Sequence, residues 1–129
     1  MKEKALDWLR YAEADFLVAK MILKPEDLLA GMSAYHSQQA AEKALKAYLI
    51  YHDKEIPRSH DLVLLNRLCA AWDIEFLLYD PMAAKLSPFS VKTRYPDDLC
   101  SDLTIEEAET LLVCAQECIR LVRSKIIVV

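Results

Sequence analysis

A single glycine, Gly31, occurs in a chain of 129 residues, where ordinary usage would supply roughly nine. Glycine is needed wherever backbone turns with positive φ or comes very close to a ligand. Dinucleotide-binding strand turns, phosphate-binding Walker loops and hydrolase nucleophile elbows are therefore excluded. No Asn-Gly, Asp-Gly or Gly-Gly pair is present to close a tight hairpin, which argues against an all-β fold.

What remains is helix, and the apolar spacing supports it. Ala5, Leu9, Ala12, Phe16, Ala19 and Leu23 alternate at intervals of four and three, and Pro25 follows, so a first helix is expected over about Glu3 to Leu23. Ala34, Gln38, Ala41, Leu45, Tyr48 and Leu49 share one face of a second, from about Leu28 to Asp53, with Glu42 and Lys46 forming an i,i+4 ion pair on its outer side. Gly31 reads as a hinge into that helix. A shorter helix opens at Ser59 or His60 with Leu62, Leu65, Cys69 and Trp72 inward. Helix-like sequence from Ile74 to Leu86 contains Pro81, which either lies in the first turn or kinks the helix, and Pro88 ends it. Ser87 to Asp102 reads as a long loop, a kind of segment that often carries function. Thr104 and Glu107 then make a capping box for a last helix over about Ile105 to Ile127. The expectation is one all-α domain over residues 1–129, an up-and-down bundle of about five helices, three long and two short. The apolar end, Ile126 to Val129, is expected to pack on the bundle or on a partner subunit.

Composition adds limits. With 54 % hydrophobic and 28 % charged residues, the chain is far from the disordered regime. A net charge of −4 disfavours a protein that coats nucleic acid or anionic membrane, while leaving room for a local basic patch. Neither a signal-peptide core in Met1 to Arg10 nor a membrane-length apolar run is visible, so a soluble cytoplasmic protein is expected. Cys69, Cys100, Cys114 and Cys118 lack metal-site spacing and read as buried small hydrophobes. Neither a metal nor any other cofactor is expected.

Cationic and polar residues gather in three places: Gln38, Gln39, Glu42, Lys43 and Lys46; Arg58, Ser59 and His60; and Lys92, Thr93, Arg94 and Tyr95. Lys43, Lys46, Arg58, His60, Lys92 and Arg94, with Tyr95 beside them, are the candidates for a cleft that binds nucleotide phosphate, an arginine fork giving paired contacts and histidine a titratable donor. Asp97, Asp98, Asp102, Glu106, Glu107 and Glu109 are six acids with no base among them. Glu106 and Glu107 suit the positive end of the last helix. His36 and His52 read as caps or hydrogen-bonded core groups, and Gln38 and His60 have the same alternative.

The run Tyr35-His-Ser-Gln-Gln-Ala-Ala-Glu-Lys-Ala-Leu-Lys-Ala-Tyr-Leu49, followed by Ser59-His-Asp-Leu62 and Arg94-Tyr-Pro96, with Trp8 and Asp15 near the start and a capped last helix, resembles the HEPN domain (higher eukaryotes and prokaryotes nucleotide-binding). The similarity covers nearly the whole chain in order. It implies a helical bundle that is commonly a homodimer, a minimal nucleotidyltransferase as partner in a toxin–antitoxin-like pair, and a role in binding nucleotides or RNA. Many members are metal-independent ribonucleases with an arginine followed, after four to six residues, by a histidine. Here Arg10, Arg58, Arg67, Arg94, Arg120 and Arg123 have no histidine at that distance, and Arg58 precedes His60 by two.

Three functions follow as alternatives. The leading one is a nucleotide- or RNA-phosphate-binding accessory module. The second is a divergent ribonuclease in which His60 moves the proton and Arg94 stabilises the charged phosphorane, the two meeting across a dimer. The third is a non-catalytic helical dimer scaffold. Whichever holds, phosphate contacts here must come from side chains.

Overall fold

Alanine sets the spacing of the first two helices. The computed structural model describes residues 2–23, 27–90 and 103–126, with backbone only at 27 and 28. α1 (Lys2–Ile22) turns Ala5, Leu9, Ala12 and Ala19 inward, and α2 (Asp27–Tyr51), which packs along it, fully buries Ala30, Ala34, Ala40, Ala41, Ala44 and Ala47 among its neighbours. Side chains this small let two backbones approach closely, and Ser33 Oγ donates across the gap to the Ala19 carbonyl at 2.8 Å. The resulting face is too tight for larger groups without strain.

α3 (Leu62–Ala70) starts two or three residues later than the sequence suggests, because Asp61 is the cap: its carboxylate accepts from the Val63 and Leu64 amides. A 3-10 turn over Ile74–Tyr79 leads into α4 (Asp80–Leu86), whose first turn holds Pro81, so the proline starts a helix and kinks none. A second 3-10 turn, Ser87–Phe89, occupies the beginning of the expected loop. α5 (Ile105–Ile126) opens on the anticipated capping box, with Thr104 N donating to Glu107 Oε1 at 2.9 Å and Glu107 N to Thr104 Oγ1 at 3.1 Å. Those two bonds hold the Glu107 carboxyl below its ordinary value. Five α-helices and no strand are present among the described residues, an up-and-down bundle with α2 packed against all four others.

The central place of α2 corrects two expectations. Glu42 and Lys46 do pair at i,i+4, but with side chains only 7 % and 9 % exposed, since neighbouring helices cover the side a peripheral helix would give to water. Gly31 is no hinge: it lies inside α2, buried and without positive φ. Positive φ falls instead on Asp53, at 56°. There the Lys54 amide reaches back to the Leu49 carbonyl and the Asp53 amide to that of Ile50, which closes α2 in the manner glycine usually provides.

The core runs through Leu45, Leu62, Leu65, Phe76, Leu86, Val122 and Ile126. Cys69, Cys114 and Cys118 are buried free thiols, as expected. Burial raises all three, Cys118 up to about 12, which leaves little thiolate at neutral pH. Trp72 departs from its inward assignment. α3 has ended by then, and the ring is 48 % exposed, stacked on His52 at 4.7 Å with Lys54 Nζ 4.8 Å from its centroid. Cys100 and residues 127–129 lie outside the described residues.

Candidate functional site

At about 100° per residue, His36, Lys43, Gln39, Lys46, Glu42 and Gln38 occupy about 160° of the α2 circumference. A polar arc of that width on a central helix must find partners, because unpaired polar groups out of water cost roughly 1–3 kcal/mol each. Two carboxylates supply them.

The first is Glu42, itself 5 % exposed. Oε1 accepts from Gln38 Nε2 at 3.1 Å and pairs with His60 Nδ1 at 3.0 Å, and Oε2 accepts from Lys46 Nζ at 3.0 Å. Gln38 Nε2 also donates to the His60 carbonyl at 3.3 Å, and Gln39 Nε2 donates to Gln38 Oε1 at 2.7 Å. Gln38 is thus the satisfied core group anticipated for it. His60 is not, since its side chain is 64 % exposed. It lies in the irregular stretch before the Asp61 cap, and its Nδ1 edge reaches inward to Glu42. A carboxylate accepts and does not donate. His60 Nδ1 therefore donates to Glu42, and Nε2 belongs to the ring's other, outer edge.

The second is Asp15 of α1, 14 % exposed at its side chain. Oδ1 meets His36 Nδ1 at 3.0 Å and Oδ2 meets Lys43 Nζ at 2.5 Å, both from α2. His36 is 24 % exposed and stands edge-on to Tyr35.

Of the residues expected to converge, Lys46 and His60 meet on Glu42, while Lys43 is taken by Asp15. Arg58 makes no ion pair among the described residues. Lys92, Arg94 and Tyr95 lie outside the described residues. Sequence reasoning left out Glu42 and Asp15 as organisers of the site, and set His36 aside. Signals existed: Glu42 precedes Lys46 by one helical turn, and Asp15 continues the α1 row Lys4, Trp8, Tyr11 at spacings of four, three and four. Among the described residues no group of three or more His, Cys, Asp or Glu is placed to hold a metal, and no described helix is long and apolar enough to cross a membrane.

An all-α bundle with paired carboxylates organising a polar central helix defines the class, and comparison gives the family. The HEPN domain matches residues 5–125. The chain belongs to that family. It is 31 % identical over 120 residues to a Methanocaldococcus jannaschii protein named "Putative toxin MJ1304", covering 88 % of this chain and 77 % of the other. Among solved structures, TT1696 from Thermus thermophilus superposes with a TM-score of 0.78 at 27 % identity, over 95 % of this chain and 98 % of that one. ST0689, described as an archaeal HEPN homologue, gives 0.72 at 23 % identity, over 95 % and 97 %, a likeness of fold alone.

Proposed function

We propose that this protein is the HEPN module of a toxin–antitoxin-like pair, binds nucleotide or RNA phosphate at the rim formed by Arg58 and His60, and works as a homodimer with a minimal nucleotidyltransferase. One observation carries the reading: the His60 ring is exposed yet tied at Nδ1 to the buried Glu42, two residues from an arginine that has no ion pair among the described residues. A phosphate at this rim meets a guanidinium fork and an imidazole of fixed orientation. The relative named as a toxin supports the wider role. Lys46, neutralised by Glu42 and 9 % exposed, positions the arc and leaves contact at this rim to Arg58 and His60.

The same dyad favours a second reading, a divergent metal-independent ribonuclease. A carboxylate behind Nδ1 suits Nε2 to take the proton of a 2′-hydroxyl as its oxygen attacks phosphorus, and to return it to the departing 5′-oxygen. Calorimetry with ATP and with a single-stranded RNA, paired with a cleavage assay on transfer and messenger RNA, separates the two. Binding that is lost in Arg58→Ala/His60→Ala, with RNA left intact, supports the binding module. Cleavage that disappears in His60→Ala and falls in Glu42→Gln supports the nuclease. If the wild type, alone and with its partner, neither binds nor cleaves, both readings are overturned.

A further inference from the structure

The α1 row that ends on Asp15 continues toward the N-terminus as Tyr11, Trp8 and Lys4, and these residues face a pocket of about 390 Å³ closed on its other side by Lys43 of α2. Trp8 is half-buried and packs on the core, while Tyr11 is 67 % exposed, so a fixed ring and an accessible one stand three residues apart on one helix face. Lys4 makes no ion pair among the described residues, and Asp7, the one acid in the lining, is paired with Arg10. Lys43 lines the pocket with its side chain 30 % exposed while its Nζ holds Asp15 at 2.5 Å.

We infer that this pocket is a base-stacking subsite: Trp8 and Tyr11 take an unpaired nucleobase, and Lys4 and Lys43 take its adjoining phosphate. Every base offers a π-face to aromatic side chains, so such a platform binds without sequence preference. The inference builds on the proposed nucleotide- or RNA-binding function. It extends it along α2, because Lys43 is the residue next to Glu42, the carboxylate that holds His60. One nucleotide then stacks on α1 while a phosphate further along the strand reaches Arg58 and His60.

Trp72→Phe makes Trp8 the sole tryptophan and gives the test a local signal. In that background, Trp8 fluorescence is followed while a ten-nucleotide single-stranded RNA, or adenosine monophosphate, is added. Quenching is expected, with affinity falling about tenfold or more in Tyr11→Ala and much less in Tyr11→Phe. Lys4→Ala is expected to lower the slope of log affinity against log salt by about 0.7 for the RNA. Tyr11 is exposed, so its replacement leaves the fold intact where loss of Trp8 would disturb the core. Quenching by both ligands assigns the pocket to free nucleotides as well as strands, and quenching by RNA alone assigns it to strands. If RNA binds, depends on Arg58 and His60, and neither quenches Trp8 nor responds to Tyr11→Ala, the subsite is overturned and the proposed function stands. If neither ligand binds at all, the function falls and the subsite with it.

Discussion

Glu42 and Asp15 are built alike and placed differently. Each carboxylate holds one lysine Nζ and one histidine Nδ1. Asp15 lies on α1 and draws both partners from α2, so its bonds tie two helices together, and its histidine stays mostly covered. Glu42 lies on α2 with Lys46 one turn away on the same helix, and it reaches out to a histidine whose ring is mostly in solvent. One arrangement clamps, and the other presents. The difference lies in which helix contributes the carboxylate and in how much water reaches the group.

The largest effect is expected at Glu42. Glu42→Ala leaves Lys46, 9 % exposed, without its counter-charge, and breaking a buried pair from one side costs about 3–5 kcal/mol. Urea unfolding at neutral pH measures it. Glu42→Met/Lys46→Met removes both charges together and is expected to recover most of the loss, because the penalty comes from the stranded charge. If the double variant is no more stable than Glu42→Ala, the buried pair is not the origin of the effect. Asp15→Ala is expected to cost less, about 1–2 kcal/mol, since Lys43 is 30 % and His36 24 % exposed and both can turn to water. The loss should appear as faster amide exchange along α1. An Asp15 effect equal to that at Glu42 would mean that burial does not separate the two clusters.

His60 sharpens the same contrast from the side of function. His60→Ala is expected to change stability by no more than about 0.5 kcal/mol, as for an exposed side chain, while abolishing RNA or nucleotide binding. His36→Ala is expected to do the reverse, lowering stability by about 1 kcal/mol and leaving ligand affinity within twofold. Calorimetry and urea melts on the two variants decide it, and equal effects on binding would break the division into clamp and presenter.

The fold was legible because helices announce themselves locally. The alternating apolar intervals in α1 and the capping box at Thr104 depend on neighbours within one or two turns, whereas Pro81 fits either a first turn or a kink by sequence and only the structure selects the first turn. The site was less legible because its partners are distant in the chain. Glu42 meets His60 across 18 residues, and Lys43 meets Asp15 across 28. Periodicity ranks a residue as inward or outward, and it assigned Glu42 and Lys46 to water because they are charged. It does not register that α2 is enclosed by four other helices. Trp72 failed for the opposite reason: helical spacing was carried two residues beyond the end of α3, where the turn had already redirected the chain.

A third carboxylate, Asp73, extends the comparison to the surface, where the effect is expected to be smallest. Lys125 Nζ of α5 lies 2.7 Å from Asp73 and 2.7 Å from Glu75, joining the last helix to the 3-10 turn. The hydrogen bond from Lys125, followed by that from the Glu75 amide, holds the Asp73 carboxyl below its ordinary value, and the bonds to Asp73 and Glu75 raise the Lys125 ammonium. The Asp73 contribution is therefore complete above the normal carboxylate pKa of about 3.9 and is lost as pH falls through the lowered folded value. The Lys125 contribution is complete below the normal lysine pKa of about 10.4 and is lost as pH rises through the raised one. Asp73→Asn keeps a capping side chain for the Glu75 amide while removing the charge. The stability difference between wild type and this variant is then expected to be flat from about pH 5 to pH 9 and to shrink at both extremes. It should also shrink in 1 M NaCl, where the Debye length is about 3 Å, whereas the cost of Glu42→Ala should hardly change. Equal salt sensitivity at Asp73 and Glu42 would show that water reaches both pairs alike.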